Sequence, residues 1–471
     1  MKPTRSLPAC VLILACLITW PLFAGGSGGD HQDDGHSSSR LTDEHIPLRP
    51  ELVPDRPPPL IEWGEPFLGT GTLAPGFELG TGAVWQPSLY VFGTLRAAVQ
   101  SNGYNAALGD ARVTEAAARL DLFANLQLSG SERLVLGFRN LDQDGSFTRH
   151  VFDSEVPTIE DGSESELNAD IRSLFFEGDF GEIFPNLSPR DFKPLDIGFS
   201  IGRQPLFFQE GILVNDSIDG VGLTWNSLQP RKTANYRTTF FYGWDNVDRN
   251  NLTQHTGDLI ALFTAIDYKP STVEVDVAYS LAEDGFDDMM AFGISAIQRL
   301  GLVNSSFRVL GSRIDDDNDD NDGYLLFSEL SWTPHHTHDL AYVTTFWAID
   351  TYTPIASGSG NGGALARAGI SYAGVSLANY GAPLSPTASN VAGAALGYQK
   401  FMAHNRQQLL VEVASRFGTR DSVTNEFSLT TRYQAAFGRR FVVVLDGFAN
   451  LIEAFDREAH FGARLELQVR F

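Results

Sequence analysis

From about residue 88 to residue 471 the chain repeats one pattern, in which segments of about ten residues alternate apolar and polar side chains between turn residues. The last segment, HFGARLELQVRF, places Phe461, Ala463, Leu465, Leu467, Val469 and Phe471 on one face. Gly462, Arg464, Glu466, Gln468 and Arg470 take the other. STVEVDVAYSLAE sets Val273, Val275, Val277, Tyr279 and Leu281 against Thr272, Glu274, Asp276, Ala278 and Ser280. RLDLFANLQL sets Leu120, Leu122, Ala124, Leu126 and Leu128 against Arg119, Asp121, Asn125 and Gln127. RQQLLVEVASRF and EFSLTTRYQAAF repeat it, with Leu409, Val411, Val413, Phe427, Leu429 and Tyr433 apolar. Their polar faces carry Arg406, Gln408, Glu412 and Arg416, then Glu426, Arg432 and Gln434. A period of two means strands, because successive side chains point to opposite faces of a sheet.

Two architectures use such strands. In a soluble sandwich the apolar face is the interior and the charged face meets water. In a membrane barrel the assignment inverts: apolar side chains face lipid and charged ones line a wet lumen. Strand length favours the barrel, since about 9–11 residues cross a bilayer at a tilt. Aromatic residues also gather near strand ends, at Trp225, Tyr242, Trp244, Tyr268, Trp332, Tyr352, Phe437 and Phe441, where interfacial girdles belong. A composition that is 43% hydrophobic fits either architecture.

The N-terminus decides between them. Lys2 and Arg5 precede ACVLILACLITW, and Leu22-Phe23-Ala24 leads into GGSGG, which describes a secretory signal peptide cleaved after Ala24. Lipidation at Cys16 is the competing reading. Cys10 and Cys16 are the only cysteines, so cleavage after Ala24 leaves neither disulfides nor thiol chemistry. Residues 25–45 are polar and low in complexity, with His31, His36 and His45 in a solvated tail. Residues 46–66 hold seven prolines and suit an extended spacer. The expected organisation is a signal peptide over 1–24, a polar and Pro-rich periplasmic segment over 25–87 and an outer-membrane barrel over 88–471.

The expected fold is therefore all-β: a transmembrane antiparallel up-and-down β-barrel. Nineteen candidate strands can be counted, whereas a barrel with both termini in the periplasm needs an even number. Counts from the two ends disagree over residues 350–392. Assigning 364–374 to a long outer loop gives 18 strands, and a further strand over 375–392 gives 20. About 18 strands is the expectation, within 16–20. SGSE (129–132), KPS (269–271), TPHHTH (333–338) and AHN (403–405) are expected to be periplasmic turns, with long linkers outside.

Residues on the polar faces line the expected lumen: Arg119, Asp121, Glu274, Asp276, Arg406, Glu412, Arg416, Glu426, Arg432, Arg464, Glu466 and Arg470. Charges there set solute preference, or satisfy one another and stiffen the wall. The formal net charge of −24 belongs largely to outer loops such as DSEVPTIEDGSESELNAD (153–170). IDDDNDDNDGYLLFSE (314–329) puts Asn318, Asp320, Asp322, Gly323 and Glu329 at EF-hand-like spacing. The first ligand position is usually Asp, and YLLFSELSW reads as a strand. A solvated acidic loop is thus the first reading, with weak calcium binding the alternative and no other cofactor expected. His335, His336 and His338 read as a solvated turn. No nucleophile–base pattern, phosphate loop or basic patch for nucleic acid is present, and His404 and His460 suit solvated or interfacial positions. An enzyme is not expected.

SIGRQPLFFQEGILVNDSIDGVGLTW (200–225) resembles a stretch of the alginate-export family of outer-membrane barrels, where a strand ends in Gly-Arg-Gln and the next opens with Asp-Gly-Val. The matching residues are Gly202, Arg203, Gln204, Asp219, Gly220 and Val221. The resemblance implies an 18-stranded monomeric barrel whose arginine-bearing lumen passes a polysaccharide or another anionic solute. Here Pro205-Leu206-Phe207-Phe208 replaces the family's charged loop. Counting from Ile201, Arg203 falls on the lipid face unless a bulge at Gly202 turns it inward.

The expected function is a porin-like outer-membrane channel for a hydrophilic solute in a Gram-negative-type bacterium. A structural or adhesive barrel plugged by its own loops is the alternative. Expected partners are outer-membrane lipid and lipopolysaccharide, the solute, and the barrel-assembly machinery. That machinery would read the terminal strand, which resembles its signature of alternating apolar residues and a final Phe.

Overall fold

A computed structural model describes residues 57–64, 75–103, 110–143, 146–187, 196–249, 257–282, 287–315, 321–358, 360–453 and 459–471. Eighteen long strands form the wall. They are β1 (Ser88–Asn102), β2 (Val113–Gln127), β3 (Arg133–Arg139), β4 (Ile171–Asp179), β5 (Ile197–Phe208) and β6 (Val214–Leu228). Next come β7 (Asn235–Asp245), β8 (Asp258–Tyr268), β9 (Ser271–Leu281), β10 (Met289–Leu300), β11 (Val303–Ile314) and β12 (Gly323–Trp332). The last six are β13 (Leu340–Tyr352), β14 (Ala388–Met402), β15 (Gln407–Gly418), β16 (Glu426–Phe437), β17 (Phe441–Ile452) and β18 (Ala459–Arg470).

Each strand pairs antiparallel with the next, and β18 closes on β1 in register from Gly462↔Asn102 to Arg470↔Thr94. The pairing continues to the terminal residue: the Phe471 amide donates to the Gly93 carbonyl (3.1 Å), and the Gly93 amide donates back (2.7 Å). Closure of β18 on β1 gives each of the eighteen long strands a partner on both sides, which lets backbone groups in the bilayer pair within the protein.

The wall is inverted relative to a soluble sheet. On β18, Phe461, Leu465 and Leu467 are 65%, 53% and 41% exposed, whereas Arg464 and Glu466 are 5% and 0% exposed. The same holds along β15, where Val413 is 58% exposed and Glu412 fully buried. Only a surrounding apolar solvent stabilises that arrangement, so the barrel is a membrane-spanning one of outer-membrane type. The even strand count puts both ends of the barrel on the periplasmic side, and the turns at 129–132, 269–270, 333–339 and 403–406 lie there.

Three details depart from expectation. The link between β4 and β5 is long yet periplasmic, and its described part carries a short helix, Phe180–Ile183, capped by Asp179. Tyr352 is no girdle residue: it is 2% exposed, and its hydroxyl donates to the Ile212 carbonyl inside the barrel (3.0 Å). Within the Pro-rich spacer, the proline-free stretch Ile61–Trp63 pairs with Val91–Leu89 of β1, below the end of β18. The wall above β3 is completed by a strand over Ser146–Ser154 that pairs with the outer half of β2, and by Gly162–Glu164 beside it. Residues 364–374 belong to the long β13–β14 loop, and that assignment leaves 18 strands.

Candidate functional site

The β13–β14 connection, residues 353–387, folds into the barrel as a strap. Its composition, TPIASGSGNGGALARAGISYAGVSLANYGAPLSPT, is small and flexible enough to cross a lumen that other loops would fill with bulk. A buried segment without regular structure must find partners for its backbone groups, and these come from the wall. Three buried wall carboxylates accept from the strap. Glu412 of β15 takes the amides of Ile370 (3.0 Å) and Ser371 (2.8 Å), together with the Tyr342 hydroxyl. Glu115 of β2 takes the amide (2.7 Å) and side chain (2.8 Å) of Asn379. Glu426 of β16 takes the Ser385 amide (2.9 Å).

Wall donors in turn reach strap carbonyls. Arg96 donates to Val375 (3.0 Å), Arg119 to Ser376 (3.1 Å), Gln100 to Leu377 (3.0 Å) and Asn450 to Pro383 (2.7 Å). At Gly369 a Cβ would stand 2.3 Å from Glu412 Oε2, so the Glu412 clasp requires a residue without a side chain there. Tyr372 packs edge-on against Phe346 and donates to the Ser415 carbonyl (2.7 Å). Burial pushes the phenol pKa of Tyr372 upward, which keeps it a neutral donor.

At its other side the strap meets the short β5–β6 loop. Arg367 pairs with Glu210 (3.1 Å) and with Glu329 of β12 (3.2 Å). Arg308 of β11, buried behind them, contacts the same two carboxylates. Glu210 and Arg367 of this four-charge knot line one of two cavities in the bore. One, of ≈ 290 Å³, opens outward and is lined by Glu210, Asn215, Asn361, Arg367 and Ser376. The other, of ≈ 530 Å³, lies toward the periplasm and is lined by Glu177, Gln204, Phe208, Thr224 and Arg237. Around the knot the outer half of the lumen is apolar, with Ile212, Leu213, Phe241, Leu259, Leu310, Leu325 and Ile355 in one cluster. The wet ladders expected along every strand are therefore confined to part of the bore.

The polar part is a charge zipper in two runs, one over β16, β17, β18 and β1 and the other over β2 and β3, which meet where Arg96 and Arg119 lie opposite each other. Arg432 pairs with Asp446 (2.7 Å), and Asp446 also accepts from Arg464 (2.9 Å). Arg464 contacts Glu466, which takes a bidentate pair from Arg96 (2.7 and 3.0 Å). Arg119 is bidentate to Asp121 (2.9 and 3.1 Å), and Arg139 bridges Asp121 (3.1 Å) and Asp142 (3.6 Å). Bidentate pairs hold guanidinium and carboxylate in fixed planes, so this wall is stiff as well as charged. Arg172 and Arg237 form no hydrogen bond or ion pair among the described residues.

The structure places the sequence-derived candidates as follows. Arg119, Asp121, Arg432, Arg464 and Glu466 lie in the zipper, and Glu412, Glu426 and Arg416 clasp the strap. Glu274 accepts from Ser295 (2.8 Å), and Asp276 accepts from Gln209 (2.7 Å), both on the lumen face of β9. Arg406 is not lumenal: β15 starts at Gln407, and Arg406 stands exposed in the periplasmic turn, donating to the Gly438 carbonyl (2.6 Å). Arg470 keeps lumen parity but is exposed at the periplasmic end of β18.

Gly202 has φ +117, yet the register runs unbroken from Gly202↔Gly220 to Arg203↔Asp219. Arg203 therefore stays on the outer face, beside Leu174 and bidentate to Asp219 (3.1 and 2.8 Å), while Gln204 points inward. Asn318 and Asp320 lie outside the described residues. Asp322 accepts from the Ile314 amide (2.9 Å), whereas Glu329 is engaged with Arg308 and Arg367 in the lumen, so the two do not converge on one cation.

Sequence reasoning missed Arg96, Arg139 and Asp446, although TLRAAVQ alternates clearly enough to place Arg96 with Thr94, Ala98 and Gln100. Glu115 shares the parity of Arg119 and Asp121 and is legible in the same way, whereas Arg367 and Glu210 carry no such signal, because their roles depend on where the strap lands.

No known protein-family pattern and no curated protein matches the chain. Solved structures do match. A BenF-like porin from Pseudomonas fluorescens Pf-5 aligns with a TM-score of 0.55 at 11% identity, covering 81% of this chain and 98% of that one. Pseudomonas aeruginosa OccK7 (OpdD) aligns with a TM-score of 0.53 at 10% identity over 81% and 98%. P. aeruginosa OccK2 (OpdF), in a complex with glucuronate, aligns with a TM-score of 0.52 at 12% identity over 81% and 98%. The fold is thus that of 18-stranded outer-membrane porin barrels. Of the alginate-export resemblance this supports the barrel; nothing in these matches points to alginate export itself.

Proposed function

We propose that the chain is a passive outer-membrane channel for small hydrophilic solutes, with small anions favoured. The observation that carries this reading is the clasped strap: a barrel wide enough for a large bore is narrowed by a segment fixed to the wall at both carboxylates and arginines. A bore crossed in this way suits single small solutes better than a polymer, so small anions are preferred here over polysaccharide. The charge zipper is close to neutral, with Arg96, Arg119, Arg139, Arg432 and Arg464 against Asp121, Asp142, Asp446 and Glu466. Among the described residues Arg172 and Arg237 make no ion pair or side-chain hydrogen bond, Arg237 lines the inner cavity, and both would attract an anion.

The test is the reversal potential of the purified chain in planar bilayers across a salt gradient. The expected result is net anion preference that moves toward cations in Arg172→Ala/Arg237→Ala. A wild-type potential set by cations, unchanged in the double variant, would refute the anion preference. Absence of any current would favour the plugged structural barrel instead.

A further inference from the structure

On the lipid-facing side, a concavity of ≈ 660 Å³ lies where β18, β1 and β2 meet the Ser146–Ser154 strand. Its floor is two adjacent cross-strand rows. One runs Leu465↔Val99↔Ala116↔His150↔Ser163, and the next runs Leu467↔Ala97↔Ala118↔Thr148. All these positions share the outward parity of the apolar belt. Most of that belt is Leu, Phe and Trp, but here three alanines leave a trough.

The trough has a direction. Strands of membrane barrels tilt by about 35–45°, so a cross-strand row climbs as it crosses the wall. It starts at the middle of β18 and ends on the Ser146–Ser154 strand, which continues the wall above the end of β3 at Arg139. The lower end is leucine, valine and alanine. The upper end presents His150, whose Nδ1 lies 2.7 Å from Ser163 Oγ and whose ring meets Phe152 edge-on at 4.9 Å. Arg149 points the other way, to Glu164 (2.7 Å) and Glu115 (3.8 Å).

We infer that this groove holds one acyl chain of an outer-leaflet glycolipid, with His150 and Ser163 hydrogen-bonding hydroxyls of its sugar headgroup. The groove is continuous with the lipid-facing belt, so its apolar floor is covered by lipid in the membrane. Its polarity runs from apolar toward the midplane to hydrogen-bonding toward the outside, which is the polarity of an outer-leaflet amphiphile. Asp153, Glu155, Glu160, Asp161 and Glu164 surround the upper end in sequence. They disfavour a phosphate next to His150 and Ser163, so the contact there is with sugar hydroxyls, and any phosphates of the glycolipid lie away from this end of the groove.

The test uses the full chain purified in mild detergent and examined by native mass spectrometry after addition of rough-type lipopolysaccharide or phosphatidylglycerol. Wild type is expected to retain one lipopolysaccharide molecule and little phosphatidylglycerol. Ala97→Leu/Ala118→Leu fills the groove, and retention should fall about tenfold or more. Ala124→Leu, outward on β2 but away from the groove, should leave retention intact. His150→Phe should erase the preference for the glycolipid while leaving the chain bound. Folding is checked by heat-modifiable mobility; should the double variant misfold, Ala118→Leu alone and His150→Phe carry the comparison. Equal retention by the filled variant, equal retention of both lipids by wild type, or a dimer mass that the filling abolishes would each overturn the inference.

Discussion

Glu412→Ala is expected to free the middle of the strap. The side chain is fully buried and accepts from Ile370, Ser371 and Tyr342, with no ion pair to a cation among the described residues. Removing the acceptor leaves one buried and two partly buried donors unsatisfied, at a cost of up to about 1–3 kcal/mol each. Even about 3 kcal/mol in total raises the population of detached strap by roughly a hundredfold. Arg367, about half exposed in the strap, then becomes a trypsin site reached from the outside. Cleavage should accelerate by about that factor when opening is fast relative to cutting. Glu412→Gln keeps the shape and one acceptor and should fall between. Unchanged proteolysis in Glu412→Ala, in a variant whose mobility shows a folded barrel, would mean that the strap is held elsewhere.

Arg464→Ala is expected to be the most destabilising single change in the wall. Its guanidinium is buried between Asp446 and Glu466, which are 8% and 0% exposed as residues. Removing one partner of a buried ion pair leaves uncompensated charge and typically costs about 3–5 kcal/mol. Arg432 and Arg96 still reach Asp446 and Glu466, which argues for the lower end of that range. The temperature at which the folded gel band disappears should drop. Arg464→Ala/Asp446→Ala should recover part of the loss, because the cycle removes a charge together with its partner. A double variant as unstable as the sum of the singles would contradict a coupled zipper.

How far the sequence carried the account depends on which solvent judged each residue. The wall is legible because lipid imposes a rule on every second side chain: Leu465 must be apolar, and Arg464 has to point away from it. That rule also places Arg203 on the outside, and the structure keeps it there with Asp219 as its partner. The strap obeys no period. Gln100 and Leu377 meet across 277 positions, and Glu115 and Asn379 across 264, so nothing local announces them. Parity fails at strand ends, where Arg406 has the right alternation but lies in a turn. Tyr352 fails for a similar reason: an aromatic at a strand end marks a girdle only when the chain leaves the barrel there, and here it turns inward. Glu329 looked like a cation ligand by spacing alone, whereas strand pairing puts it beside Arg308.

The central claim is that the strap sets the bore. Its most direct test compares single-channel conductance of the unmodified chain with that of a chain in which residues 358–386 are replaced by a short Gly-Ser link, both verified as folded barrels. Small, well-resolved steps from the unmodified chain and steps several times larger from the shortened one are the expected pair. No current from the unmodified chain, or equal steps from both, would contradict it.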